Sequence, residues 1–500
     1  MNKAVLISDL MRPGAGDLAD SLKGGSSRSS KTKDKLKVVS LFAGVGGFDR
    51  AFDVASGEVV MQCELDKFCQ AILKKHWPKA KLASDIKKLE PQDIPDADIW
   101  TAGFPCQDVS LARGNHGRNG LKGNHTSLFF ELMRLVDVKR PEVLLLENVQ
   151  GLLNSHKGCD FGVILMELIA RGYAVSWRVM NARYFGVAQS RPRVFICAWM
   201  GDYKRATEAL FEPRASAKRG SERTGFITSS FHATGAIVPE VAYCVAATSG
   251  RHTGNDWSRS YVSYADAVRR PTPTESERLQ GFPPNWTVPP EHVVEPVRGF
   301  DSERYRAVGN AVAVPVVTWI AKRITAIFSA RTHAACTIDT PDTVTAIAPE
   351  LRNGTRVVSF EAIADEIRAG TFIRKWKSGG VACRDMIIEG NASPAPSKIV
   401  KSLFVDALDA VRPDESYFLT ANAAAGILRR VNSVGRTLFQ PMSDALAKLV
   451  QSSGESPIVA ESNSEGEAVG ESRIREAGSV QRGRVGAVRH VSSRPSVLAD

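Results

Sequence analysis

Between residues 36 and 200 six short apolar runs alternate with amphipathic stretches, and that alternation leaves few folds open. The runs KVVSLF, EVVMQC, DADIWTAG, PEVLLLEN, YAVSWRVM and RVFICAWM have the length and β-branching of buried strands. Between them, DKFCQAILKKHW, SLFFELMRLVDV and GVILMELIARG carry apolar residues at helical spacing, with Leu128, Leu132, Leu135 and Val136 on one face. Strand and helix taken in turn predict a doubly wound α/β sheet.

The flanks differ in composition. Residues 1–35 end in KGGSSRSSKTKDK, which has nothing to bury and reads as a disordered leader. After the sheet domain of 36–200, residues 201–268 break into Gly, Ser, Thr, Arg and aromatics, and predict a second, smaller domain or an insertion. Order returns over 269–330, where Val312, Val316, Trp319, Ile320, Ile324 and Ile327 predict one helix buried along a single face. Residues 331–450 read as a further mixed extension, and 451–500 as a disordered Ser/Gly/Glu/Arg tail.

A formal charge of +11 favours a polyanionic partner, although a membrane surface is anionic too. With no apolar run near twenty residues and no signal peptide, a membrane role is not expected. The eight cysteines include no CxxC pair and no Cys/His grouping at zinc spacing, so no metal site is expected and seven of them read as packing. Cys106 is the exception. It stands just past the strand DIWTAG, after the breaker Gly103-Phe104-Pro105, and opens the polar loop QDVSLARGNHGRNGLKGNH. That placement suggests a reactive thiol presented to something that docks over the loop.

The first strand runs into AGVGGF, which puts Gly44, Gly46 and Gly47 at the turn into the first helix. Glycines there let a backbone pass close to a nucleotide, and a tight turn explains them equally well. Glu64, at the end of the next strand, is placed for ribose hydroxyls. Asp85 could accept from an adenine amino group with Ile86 against the ring, or Asp85 could simply cap a turn.

A series of blocks then resembles the DNA (cytosine-5) methyltransferases: SLFAGVGGF, CELD, GFPCQDVS, LLLENV, QSRPRVF, RRPTPTESERLQGFP and YRAVGNAVAVPV, in that family's order over about residues 36–328. The resemblance implies an S-adenosylmethionine-dependent, Rossmann-like catalytic domain with 201–268 as a target-recognition segment and 269–330 as the end of the catalytic domain. It implies Cys106 as the nucleophile that adds to carbon 6 of a flipped-out cytosine, Glu147 as the group protonating ring nitrogen 3, and Arg193 with Arg191 holding the base oxygen and the carboxyl. Glu147 would then need a pKa raised by desolvation. Cofactor contacts implied are Phe42, Ala43, Gly44, Gly46, Gly47, Glu64, Leu65, Asp85, Ile86, Pro105, Asn310 and Val312. DNA contacts implied or suggested are Gln107, Ser110, Arg113, Arg118, Arg251 and Arg259.

The partner implied is double-stranded DNA, with a cognate restriction endonuclease if the activity is restriction-linked rather than orphan or phage-borne, and with a monomeric enzyme in the bacterial cytoplasm, associated with the nucleoid. The chain departs from the family at His125, where Arg is usual, and at Pro271, where Leu is commoner. Within 331–450, SYFLTANAAAGILRRVNSVGRTLFQPMSDAL is similar to a segment of phage and prophage cytosine methyltransferases, and its basic pieces suggest extra DNA contact or a solvated helix. The competing readings are an RNA cytosine methyltransferase, a non-catalytic DNA-binding protein, and an NAD-dependent dehydrogenase that would leave Cys106 unexplained.

Overall fold

The computed structural model describes residues 35–105, 128–214, 223–250, 256–290, 300–330, 341–383 and 385–453. The six apolar runs become β1 (Lys37–Leu41), β2 (Glu58–Cys63), β4 (Ile99–Ala102), β5 (Val143–Val149), β6 (Tyr173–Asn181) and β7 (Pro192–Met200), and the short β3 (Lys81–Ala83) lies outside those runs. The three amphipathic stretches become α2 (Lys67–His76), α3 (Leu128–Lys139) and α4 (Cys159–Ala170); α1 (Gly47–Val54) follows the glycine turn after β1, and α5 (Tyr203–Leu210) follows β7. β3, β2, β1, β4 and β5 pair in parallel in that order, then β7 and β6 add antiparallel beyond β5.

Alternate residues of each central strand enter opposite cores. Val143 and Leu145 of β5 join Phe195, Cys197 and Trp199 of β7 on one face, while Leu144, Leu146, Val194, Ile196 and Ala198 pack on the other. With helices covering both faces, strands become continuous apolar runs, which is why the runs were legible without a period of two.

One carboxylate lies inside this packing. Asp49 of α1 is fully buried and accepts from Ser40 Oγ at 2.9 Å and Gln62 Nε2 at 2.8 Å, tying α1 to β1 and β2. Burial raises its pKa from 3.8 to about 6 against those hydrogen bonds. Its folded-state value lies above the unfolded one, so its contribution is full below pH ~4 and is lost as pH rises through about 6. Asp49→Asn keeps an acceptor for Gln62 and gives Ser40 a donor. The melting temperature of this variant should exceed wild type above pH 6 and lose its slope between pH 4 and 6; an unchanged profile would contradict the assignment.

The helix expected along Val312 to Ile327 is α8 (Val314–Ser329), and α7 (Phe300–Asn310), which follows α6 (Pro273–Gln280), meets it at a bend of 41°. Pro315 explains the break. Inside a continuous helix its ring would clash with the carbonyl of Ala311, and it has no N–H to offer it. That carbonyl instead accepts from Arg191 at 2.7 Å and Gln280 at 3.0 Å. Val312 therefore lies in the break, while Val316, Ile320 and Ile324 are buried and Trp319 and Ile327 half-buried. No single helix among the described residues is long and apolar enough to cross a membrane.

The segment read as an extension of 331–450 divides between two places. After α9 (Pro341–Ile347), β12 (Arg356–Ser359), α10 (Phe360–Arg368), β13 (Gly379–Cys383) and β14 (Met386–Gly390) continue the main sheet, β13 pairing antiparallel with β6. Arg178 of β6, 1% exposed, locks that join: its guanidinium reaches Glu350 at 2.9 Å and donates to the carbonyls of Leu210, Ser393 and Ala395. The later part, α11 (Ala421–Ser433) and α12 (Gln440–Ser452), packs on a small antiparallel sheet of β8 (Ser229–Phe231), β9 (Ile237–Pro239), β10 (Val262–Ser263) and β11 (Val268–Arg269). Arg178→Met would leave the buried Glu350 carboxylate uncompensated, and urea unfolding should show a loss of about 3–5 kcal/mol. A loss under ~1 kcal/mol would mean the extension is not held through this residue.

Candidate active site

The strands β1 to β5 end on one side of the sheet, and their carboxyl ends surround a cavity of about 530 Å³. This is where an open α/β sheet leaves room for a ligand, because the chain leaves each strand in a different direction. Phe42 and Gly44 follow β1, Glu64 and Leu65 follow β2, and Asp85 and Ile86 follow β3. Gly103, Phe104 and Pro105 follow β4, Glu147 to Val149 close β5, and Arg306, Gly309 and Asn310 come from α7.

In the half facing β1 to β3, Glu64 is fixed by two backbone donors, Gly44 N–H and Asp66 N–H, each at 2.8 Å. Asp85 caps a short turn by accepting from Lys87 N–H at 3.0 Å, and it also lines the cavity. Phe42 has a left-handed backbone with φ 55, uncommon for a side chain of that size and typical of ligand clamps.

Ala43, Gly46, Gly47 and Val312 are not in the cavity lining. A Cβ on Gly46 would stand 2.3 Å from the Trp77 ring, and one on Gly47 2.7 Å from Val312 Cγ2. Those two glycines therefore serve helix packing beneath the cavity. Sequence reasoning missed Asp66 and Arg306, which form an ion pair at 2.7 Å on the cavity wall. The signal was present, as Asp66 ends the CELD block and Arg306 precedes Asn310 by one helical turn.

In the other half, Glu147 is 9% exposed and Arg193 Nε lies 3.2 Å from its Oε1. Loss of hydration raises the Glu147 pKa above the ordinary carboxylate value, although Arg193 and Arg191 pull the other way. Arg191 lines the cavity, yet its Nη groups go to backbone, to Val245 O at 2.8 Å, Gly309 O at 3.0 Å and Ala311 O at 2.7 Å, while its buried Nε has no partner among the described residues. Cys244 Sγ lies 3.2 Å from Arg191 and 3.7 Å from Arg193. Burial works against its ionisation, but the two guanidiniums outweigh that and hold the thiol below its ordinary pKa.

Asn148 Nδ2–H donates to Phe104 O at 2.9 Å, tying the end of β5 to the segment that leads into Cys106. Cys106, Gln107, Ser110, Arg113, Arg118, His125 and Arg251 lie outside the described residues, and the described wall stops at Pro105. Arg259 is described. Its guanidinium holds Thr248 O at 2.6 Å and Thr248 Oγ1 at 2.8 Å beside a smaller cavity of about 200 Å³ that also borders Cys244. Gly309 completes the link between the two regions, for a Cβ there would meet the Ala246 backbone at 2.2 Å.

The family model for C-5 cytosine-specific DNA methylases matches residues 36–238 and 236–326. The chain belongs to that family. The methylase is 31% identical over 303 residues to the type II methyltransferase M2.BsuMI of Bacillus subtilis, covering 58% of this chain and 75% of that one. It is 31% identical over 325 residues to the type II methyltransferase M.NlaX of Neisseria lactamica, covering 59% and 98%. Among solved structures, the S. pombe Dnmt2 methyltransferase aligns at TM-score 0.45 and 18% identity, covering 60% of this chain and 100% of that one.

The family match ends inside α8, so β12 to β14 and the α11–α12 pair are additions to the methylase core. Within that core, Gly46 has φ 81 and no space for a side chain. Gly46→Ala should destabilise the methylase by about 1–3 kcal/mol in urea unfolding, through left-handed strain and the clash with Trp77. An unchanged unfolding midpoint would show that Trp77 moves freely, and would remove the packing role given to this glycine.

Proposed function

We propose that the chain methylates carbon 5 of cytosine in a specific duplex DNA sequence, with Cys106 as nucleophile and Glu147 as proton donor, in restriction–modification or in phage-borne or orphan modification. The observation that carries this reading is the buried Glu147–Arg193 pair at the end of β5, in one cavity with Glu64, Asp85 and Pro105. The bacterial cytoplasm is the setting this reading implies.

The cavity's donor set fits S-adenosylmethionine. Glu64 offers a fixed carboxylate to two ribose hydroxyls, Asp85 an acceptor to an adenine amino group, and Phe42, Leu65 and Ile86 apolar surface to the ring. When bound, the cofactor supplies an electrophilic methyl group.

Everything else falls to the chain. Carbon 5 of cytosine is a weak nucleophile, so the ring needs prior addition at carbon 6, and a thiolate suits that attack. Cys106 follows Pro105 directly in sequence, and Asn148 anchors the Phe104 carbonyl, so the described segment that ends at Pro105 is tied to the strand that carries Glu147. Addition drives electrons toward ring nitrogen 3. A protonated Glu147 donates there, and its burial keeps the proton on at higher pH than an exposed carboxyl would. Arg193 orients the carboxyl and leaves N–H groups for the base oxygen. The target base must leave the stack to arrive at these groups, at a cost of a few kcal/mol.

Cys106→Ser should abolish methyl transfer from radiolabelled cofactor while cofactor affinity stays near wild type. Glu147→Gln should lower kcat by about 10²–10⁴ and remove the alkaline limb of the pH profile, because wild-type rate falls as pH rises through the raised Glu147 pKa. Turnover retained by Cys106→Ser would overturn the nucleophile.

A further inference from the structure

Residues 421–452 lie beyond the family match, yet they finish the core of the small sheet expected to read DNA. Ala424 and Ile427 of α11 and Met442 and Leu446 of α12 share one apolar cluster with Tyr261 and Val268 of that sheet. Leu419 N–H donates to Val268 O at 2.8 Å, which joins the lead into α11 to β11. A buried charge pair ties α11 to the recognition segment itself. Asp256, fully buried, takes Arg430 Nε at 3.0 Å, Arg430 Nη2 at 2.8 Å and Tyr261 O–H at 2.8 Å. Both Arg430 donors converge on Asp256 Oδ2 while Tyr261 donates to Oδ1, so α11 is held to the turn at Asp256.

The opposite side of the hairpin faces solvent. Arg429, Asn432, Ser433, Arg436 and Thr437 are exposed, and Gly435 makes the turn with φ 59. From Ser416 to Ser443 the chain contains no Asp or Glu. Arg429 and Arg436 make no ion pair among the described residues. Two unpaired guanidiniums among short hydrogen-bonding side chains, with no carboxylate near in sequence, match the chemistry of phosphate contact. Protein partners are less suited, since Val434 is the sole large apolar residue exposed at this turn among the described residues.

We propose that the α11–α12 turn is a second DNA-contact surface, on which Arg429 and Arg436 hold duplex phosphates, so that recognition is shared between residues 223–269 and 421–452. This rests on the reading of the chain as a DNA methyltransferase.

The test uses the full chain and a duplex carrying its methylation motif, with Arg429→Ala/Arg436→Ala compared with wild type by fluorescence anisotropy across a salt series. Two lost phosphate contacts should make the slope of log affinity against log salt shallower by about 1.8, and weaken binding roughly thirtyfold near 0.15 M salt. Cofactor affinity and the single-turnover rate at saturating DNA should stay unchanged, and Arg429→Lys/Arg436→Lys should restore the slope. Wild-type slope and affinity in the alanine variant, failure of the lysine variant to restore them, or a loss confined to duplex RNA would overturn the proposal. A wild-type protein that methylates no DNA would instead overturn the functional reading beneath it.

Discussion

One buried guanidinium holds the site together. Arg191 stands just before β7 and donates to carbonyls of Val245, Gly309 and Ala311, in two segments far from it in sequence. A charge 3% exposed is costly to bury, and it is tolerated here because backbone oxygens and the Cys244 sulfur surround it. The same guanidinium supports the bend that Pro315 makes between α7 and α8, since with Gln280 it takes the Ala311 carbonyl left without a helical donor. That bend delivers Asn310 to the cavity, and the Val245 contact fixes the chain after β9 beside it.

The acid–base character of the site comes from a balance of two large effects. Burial withdraws water from Glu147 and favours its neutral form, whereas Arg193 and Arg191 favour the charged one, and burial prevails. Arg191 already engages backbone oxygens and Cys244, which leaves Arg193 as the group aimed at the carboxyl. In the proposed reaction a protonated Glu147 beside this guanidinium gives its proton to a ring nitrogen that gains negative charge.

Much of this was legible in the residues. The runs of β1, β2 and β4 to β7, the helices α1 to α4 and the cavity positions of Phe42, Gly44, Glu64, Leu65, Asp85, Ile86, Pro105 and Asn310 followed from apolar runs and motif order, because both are local. What escaped was non-local. No period in the chain announces that β13 pairs with β6, or that Arg178 waits for Glu350 more than 170 residues later. The bend at Pro315 was visible as a proline but masked by a strong apolar stripe on either side. Gly46 and Gly47 looked like ligand contacts because a close approach to a cofactor and a close approach to Trp77 or Val312 demand the same residue.

The central claim is that this sheet, cavity and acid pair modify cytosine in duplex DNA. Expressing the chain in a host without cytosine methylation, then sequencing its genomic DNA at single-base resolution for 5-methylcytosine, tests that claim most directly. The account predicts 5-methylcytosine concentrated at one recurring duplex motif. Unmodified DNA in cells that contain the folded, cofactor-binding protein would contradict it.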